Sequence, residues 1–256
     1  MLNTLRHGTP QDGTDPLVIV HGLFGSARNW GVIAKRLSDA REVIAVDQRN
    51  HGDSAWQDSH GYEEMAADLA EVIAANGGRA DVLGHSMGGK AAMTLALTQP
   101  EMVGRLIVAD IAPVAYGHTQ MQFIDAMRAV DLSGIEKRSD AAKQLAAHVD
   151  DPALHSFFTQ SLDVAGKRWK LNLDVLAAEM DKILGFPDLS GSFDGPTLFL
   201  SGGASDYVTR DHRPAIRALF PKARFASLPG AGHWLHAERP RDFEASVRAF
   251  LDLTDG

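Results

Sequence analysis

The stretch VLGHSMGGKAA (residues 82–92) sets a serine between two glycines directly after an apolar run. Gly84-His85-Ser86-Met87-Gly88 fits G-x-S-x-G, a pattern that carries a hydroxyl on a sharp strand-to-helix turn. The glycines are a steric requirement, because at so tight a bend the backbone segments approach too closely for side chains. The turn lifts Ser86 clear of a sheet and sets it at the start of a helix. The free N–H groups and positive dipole end of that helix face any oxyanion that develops there. Both flanks agree: ADVLG before the serine reads as a strand, and GGKAAMTLAL after it as a helix.

The same alternation extends along the chain. PLVIVHG (16–22), REVIAVD (41–47), ADVLGHS (80–86), RLIVADIAP (105–113), TLFLSGG (197–203) and ARFASLPG (223–230) read as strands. Most are too continuously apolar to keep a wet face, which predicts a parallel sheet covered on both sides. YEEMAADLAEVIAANGG between them has Met65, Leu69, Val72 and Ile73 at helical spacing and stops at Gly77-Gly78. RDFEASVRAFLDL reads as the last helix. The fold class is α/β, a doubly wound, mostly parallel sheet with ligands at the carboxyl ends of its strands. Residues 113–196 carry helical patterns and no strand signal: TQMQFIDAMRAV, DAAKQLAAHV, PALHSFFTQSL and NLDVLAAEMDKIL. A segment of that length is not a structureless loop. It is expected as a helical cap inserted after the strand that ends near Asp110, with residues 1–112 and 197–256 forming the core of one folding unit.

Composition narrows the function classes. The 256 residues are 45% hydrophobic and 23% charged, ordinary for a soluble globular protein. A net charge of −8 leaves no basic surplus for phosphates, so no nucleic-acid partner is expected. Without cysteine there is no disulfide, no catalytic thiolate and no cysteine-ligated zinc. No apolar run reaches the roughly 20 residues that span a bilayer, and MLNTLRHGTPQDGTD lacks the apolar stretch of a signal peptide. The expectation is a cytoplasmic protein with no membrane association. His51 and Asp53 do not complete a ligand set, so no metal is expected, and no cofactor is required.

A serine hydroxyl needs an adjacent base at neutral pH. The candidate is His233 in LPGAGHWLHAERP, a glycine-flanked loop between the last strand and the last helix and therefore at the same sheet edge as Ser86. His236 is the nearby decoy, expected in the turn leading to the last helix. HGLFGSARNW (21–30), DQRNHGDS (47–54), GHSMGGK (84–90) and GAGHWLHAERP (230–240), in that order, resemble the YbfF-like esterases of the α/β-hydrolase superfamily. The resemblance covers essentially the whole chain. It implies an oxyanion hole made by the backbone N–H groups of Leu23, with Phe24 as the alternative, and of Met87. DQRNHGDS is a structural loop, with Asn50 where relatives often carry glycine.

The acid departs from the commonest family pattern, an aspartate at a fixed offset after the strand TLFLSGG. In GGASDYV that slot holds Ser205, and Asp206 falls one residue late, where an extended chain turns its side chain to the other side. Asp110 ends an apolar strand, where an unpaired charge is costly, and some relatives draw their acid from this strand. Asp110 is preferred and Asp206 is the alternative, with Ser205 supporting by a hydrogen bond.

The implied reaction is ester hydrolysis by a serine hydrolase, a carboxylesterase forming an acyl-enzyme on Ser86. Met121, Phe123, Ile124, Met127, Phe157, Phe158 and Trp169 of the cap are expected mostly to pack on the body. A few of them, with Phe24 and Trp234, would line a pocket for small to medium acyl esters, a small-molecule substrate. A dehalogenase or epoxide hydrolase would need a carboxylate at position 86. A thioesterase, a carbon–carbon hydrolase, a perhydrolase or a non-catalytic ligand receptor remains open.

Overall fold

The structure, a computed structural model, describes residues 1–253. In chain order the first half runs β1 (Thr4–His7), β2 (Leu17–Val20), α1 (Gly31–Leu37), β3 (Val43–Val46), α2 (Tyr62–Ala74), β4 (Ala80–His85), α3 (Met87–Thr98) and β5 (Val103–Ala109). Then come α4 (Met121–Arg128), α5 (Arg138–Leu145), α6 (Pro152–Gln160), β6 (Leu162–Asp163), β7 (Arg168–Trp169), α7 (Leu173–Ala178) and α8 (Met180–Leu184). The chain closes with β8 (Thr197–Gly202), α9 (Arg213–Leu219), β9 (Ala223–Leu228), α10 (Leu235–Glu238) and α11 (Pro240–Leu251).

Seven strands form one sheet in the order β1-β3-β2-β4-β5-β8-β9. Six are parallel, and only β1 runs antiparallel, against β3. Five of the six predicted runs contain one of the parallel strands, and RLIVADIAP overlaps the sixth, β5, which starts two residues earlier at Val103. Every residue of β2, β3 and β4 is buried, as a sheet covered on both faces demands. One face packs α2, α3 and the α4–α8 segment over Val18, Val46, Val82 and Val108. The other packs Trp30, Phe243, Val247 and Phe250 over Leu17, Ile19 and Leu83. Strand order reverses between β2 and β4, which opens a crevice at their carboxyl ends.

Three features depart from the expectation. β1 was not predicted: in TLRH polar and apolar residues mix, and an edge strand with one neighbour keeps no continuous apolar face. The helical segment also holds a two-residue hairpin of β6 with β7, too short to show a period of two. NLDVLAAEMDKIL forms two helices that meet at Glu179.

The α4–α8 segment is tied to the sheet's carboxyl edge by backbone contacts. The Gly52 N–H donates to the Lys170 carbonyl at 2.8 Å, and the Asn172 N–H to the Asn50 carbonyl at 3.0 Å. The Ser161 hydroxyl donates to the Phe24 carbonyl at 3.1 Å.

Candidate active site

β4 ends at His85, and Ser86 follows with φ 52° and ψ −123°, a conformation that a side-chain-bearing residue adopts only under constraint. The constraint is visible on both sides. A Cβ on Gly84 would overlap the Gly88 carbonyl, and one on Gly88 would overlap the carbonyls of Val20 and His21. The Ser86 N–H donates to the Ala109 carbonyl of β5 at 3.0 Å, which fixes the bend against the neighbouring strand.

His233 lies between β9 and α10, and its Nε2 stands 3.0 Å from the Ser86 Oγ. Its Nδ1–H donates to Asp110 Oδ2 at 2.7 Å. Asp110 follows β5 with φ 52° and is fully buried. Its Oδ1 accepts the Gly202 N–H at 2.9 Å, and its Oδ2 also accepts the Ser205 hydroxyl at 2.5 Å. Three donors therefore hold one carboxylate, which compensates a buried charge. Asp206 is exposed and, among the described residues, makes no hydrogen bond to His233. The Tyr207 ring stacks on His233 at 4.0 Å and 20°, leaving the imidazole little freedom to turn.

A buried ring that sequence reasoning passed over supports the loop. His85 Nε2–H donates to the His233 carbonyl at 2.8 Å. Burial holds its pKa well below the ordinary range, so it stays neutral. His236 lies in α10, stacked on Trp30 at 4.2 Å, and it is His233 that meets the Ser86 hydroxyl.

Among the described residues, the backbone N–H groups of Leu23 and Met87 meet no protein acceptor. The Phe24 N–H is donated to His51 Nε2 at 3.2 Å, which leaves Leu23 as the free donor of that turn. His51 in turn donates Nδ1–H to the Arg49 carbonyl at 3.0 Å. This pattern requires a neutral ring, and burial lowers the His51 pKa well below its ordinary value. On the other side His60 Nε2 meets the Met87 sulfur at 3.3 Å, while Asn50 Nδ2 approaches His60 Nδ1 at 3.3 Å. Asn50 and His51 of DQRNHGDS thus brace both turns that present the free N–H groups. Their spacing alone carried no sign of this, because the partners lie on distant segments.

These groups open on a cavity of about 340 Å³. Ser86, His233 and Met87 line it together with the apolar side chains of Phe24, Phe157 and Trp234. Met121, Ile124, Met127 and Trp169 do not line it. Among the described residues no cluster of three or more His, Cys, Asp or Glu could hold a metal. Nor, among the described residues, is any helix long and apolar enough to cross a membrane.

Known proteins resemble this chain over most of its length. The sequence model of the alpha/beta hydrolase family matches residues 17–246. The sn-1-specific diacylglycerol lipase ABHD11 of Mus musculus is 44% identical over 252 residues, 94% of this chain and 82% of that protein. Esterase YbfF of Escherichia coli (strain K12) is 38% identical over 245 residues, 94% of this chain and 95% of that protein. The solved structure of a marine microorganism esterase superposes with a TM-score of 0.91 at 38% identity, covering 97% of this chain and 98% of that one. The chain belongs to the alpha/beta hydrolase family.

Proposed function

We propose that the protein is a serine carboxylesterase for small to medium acyl esters. The observation that carries this reading is the unbroken hydrogen-bonded chain from Ser86 through His233 to Asp110, opening on an apolar cavity beside two free N–H groups. Ser86 attacks the ester carbonyl while His233 Nε2 takes its proton, and Asp110 holds the ring in that tautomer and stabilises the imidazolium. The N–H groups of Leu23 and Met87 receive the oxyanion, with no reorganisation at the moment of reaction. His233 then returns its proton to the leaving alcohol and later activates the water that releases the acid. Ser205 and Gly202 hold the Asp110 carboxylate aimed at the ring.

The cavity of about 340 Å³ sits at the lower end of the roughly 300–1,000 Å³ usual for ligand pockets, which favours shorter acyl groups. Relatives named as an esterase and a diacylglycerol lipase both support an ester as the substrate class.

The test is covalent labelling with a fluorophosphonate together with turnover of p-nitrophenyl butyrate. Wild type is expected to do both. Ser86→Ala should lose the label and all but a trace of turnover, with an unchanged circular-dichroism spectrum. A folded wild type that neither labels nor turns over the ester favours a non-catalytic receptor.

A further inference from the structure

Lys90, one helical turn beyond Ser86 on α3, is almost completely buried and lines the same cavity. Its Nζ donates to the carbonyls of Leu184 at 2.8 Å and Gly185 at 2.5 Å, at the C-terminus of α8. No carboxylate lies within ion-pair range of it among the described residues. The helix end offers partial negative charge instead, and the Tyr116 and Tyr62 rings lie 4.8 Å and 5.8 Å from the nitrogen. The same helix end takes two more donors from the body of the protein. The Tyr62 hydroxyl donates to the Ile183 carbonyl at 2.6 Å, and the Tyr116 N–H to the Leu184 carbonyl at 3.0 Å. Ile183 and Leu184 are themselves part of the cavity wall.

We propose that Lys90 is a specificity-determining residue: its amine clamps the end of α8 to α3 and so holds the wall that limits acyl length. The choice of esters as probes rests on the function proposed above, whereas the clamp rests on the contacts alone. A charged amine makes charge-assisted bonds to both carbonyls; a neutral one is a poor donor. Burial brings the Lys90 pKa down to about 7, so the clamp is tight below that pH and slack above it. The groups facing the amine are the Tyr62 and Tyr116 phenols and the α8 carbonyls. Burial raises both phenols, so neither changes charge in this window.

The experiment compares kcat/KM for p-nitrophenyl octanoate and butyrate in wild type and Lys90→Met, from pH 6 to 8.5. The ratio of the two esters cancels any pH effect that acts equally on both. In wild type the octanoate-to-butyrate ratio should rise as the pH passes about 7. In Lys90→Met it should be about tenfold higher at pH 6 and flat with pH, as a pocket-wall change of one or two methylenes permits. Tyr62→Phe, which removes a weaker donor, should move the ratio the same way by less and guards against a misfolded Lys90→Met. Hydrogen exchange at the Tyr116 amide, corrected for intrinsic rates, should be faster in Lys90→Met at pH 6 and converge with wild type at pH 8.5. An unchanged ratio together with unchanged exchange overturns the clamp. A wild type inert towards both esters but with the expected exchange behaviour sinks the esterase reading and leaves the clamp standing.

Discussion

Asp110 accepts three hydrogen bonds, and an amide in its place could accept only through its single oxygen. Asp110→Asn would turn N–H donors towards Ser205 or His233 and favour the wrong imidazole tautomer. Turnover should fall by about four orders of magnitude, the loss typical of such a change in a triad acid. Asp206→Asn, exposed and without a bond to His233, should stay within about threefold of wild type, since it leaves the triad geometry intact. Steady-state kinetics on the two variants decide between the carboxylates, and the reverse ranking assigns the acid to Asp206. That Asp110 has buried hydrogen-bond partners was legible in the sequence, because a charge at the end of an apolar strand must find them. Lys90, His51 and His60 were not legible, because what they do depends on which carbonyl, N–H or sulfur a remote segment brings to them. Lys90 in particular reads as one more polar position in a helix until α8 is seen to end on it.

At the level of elements, the opposite end of β4 is built for stability. Asp81 is buried there against Arg41 at 2.6 Å, and desolvation raises its pKa against the pull of that guanidinium. Arg105 stands further off, at 3.9 Å. Arg41→Met would strand the carboxylate, at a cost of about 3–5 kcal/mol in chemical denaturation. Fluorophosphonate labelling of the variant should nevertheless persist at low temperature, because Ser86 sits at the far end of the strand. Loss of labelling in a still-folded variant would count against this division of labour along β4. The parallel strands were readable from sequence because burial on both faces leaves an unmistakable apolar run. β1 and the β6–β7 hairpin lack that burial, and they owe their pairing to neighbours rather than to their own pattern.

For the whole molecule, the buried histidines set an acid limit. His60 and His236 are lowered by burial to about 3, and His51 and His85 also lie well below the ordinary value of 6.5. The unfolded chain binds protons near 6.5 that the folded chain refuses, so this stabilisation is complete above that pH and is lost as the pH falls towards 3. The melting temperature should therefore fall between pH 7 and pH 4. In His236→Phe, which keeps the stack on Trp30 and removes the unpaired Nδ1, the fall should be shallower. Identical slopes for the two proteins would remove His236 from the account. The parts of the site are also far apart along the chain: Ser86 precedes His233 by 147 residues. On a ribosome the Ser86 hydroxyl emerges before His233, so under the proposed mechanism it has no base until β8 and β9 have joined the sheet and carried His233 into place. A nascent or half-assembled polypeptide is thereby chemically silent, and reactivity begins only once His233 has been seated beside Ser86.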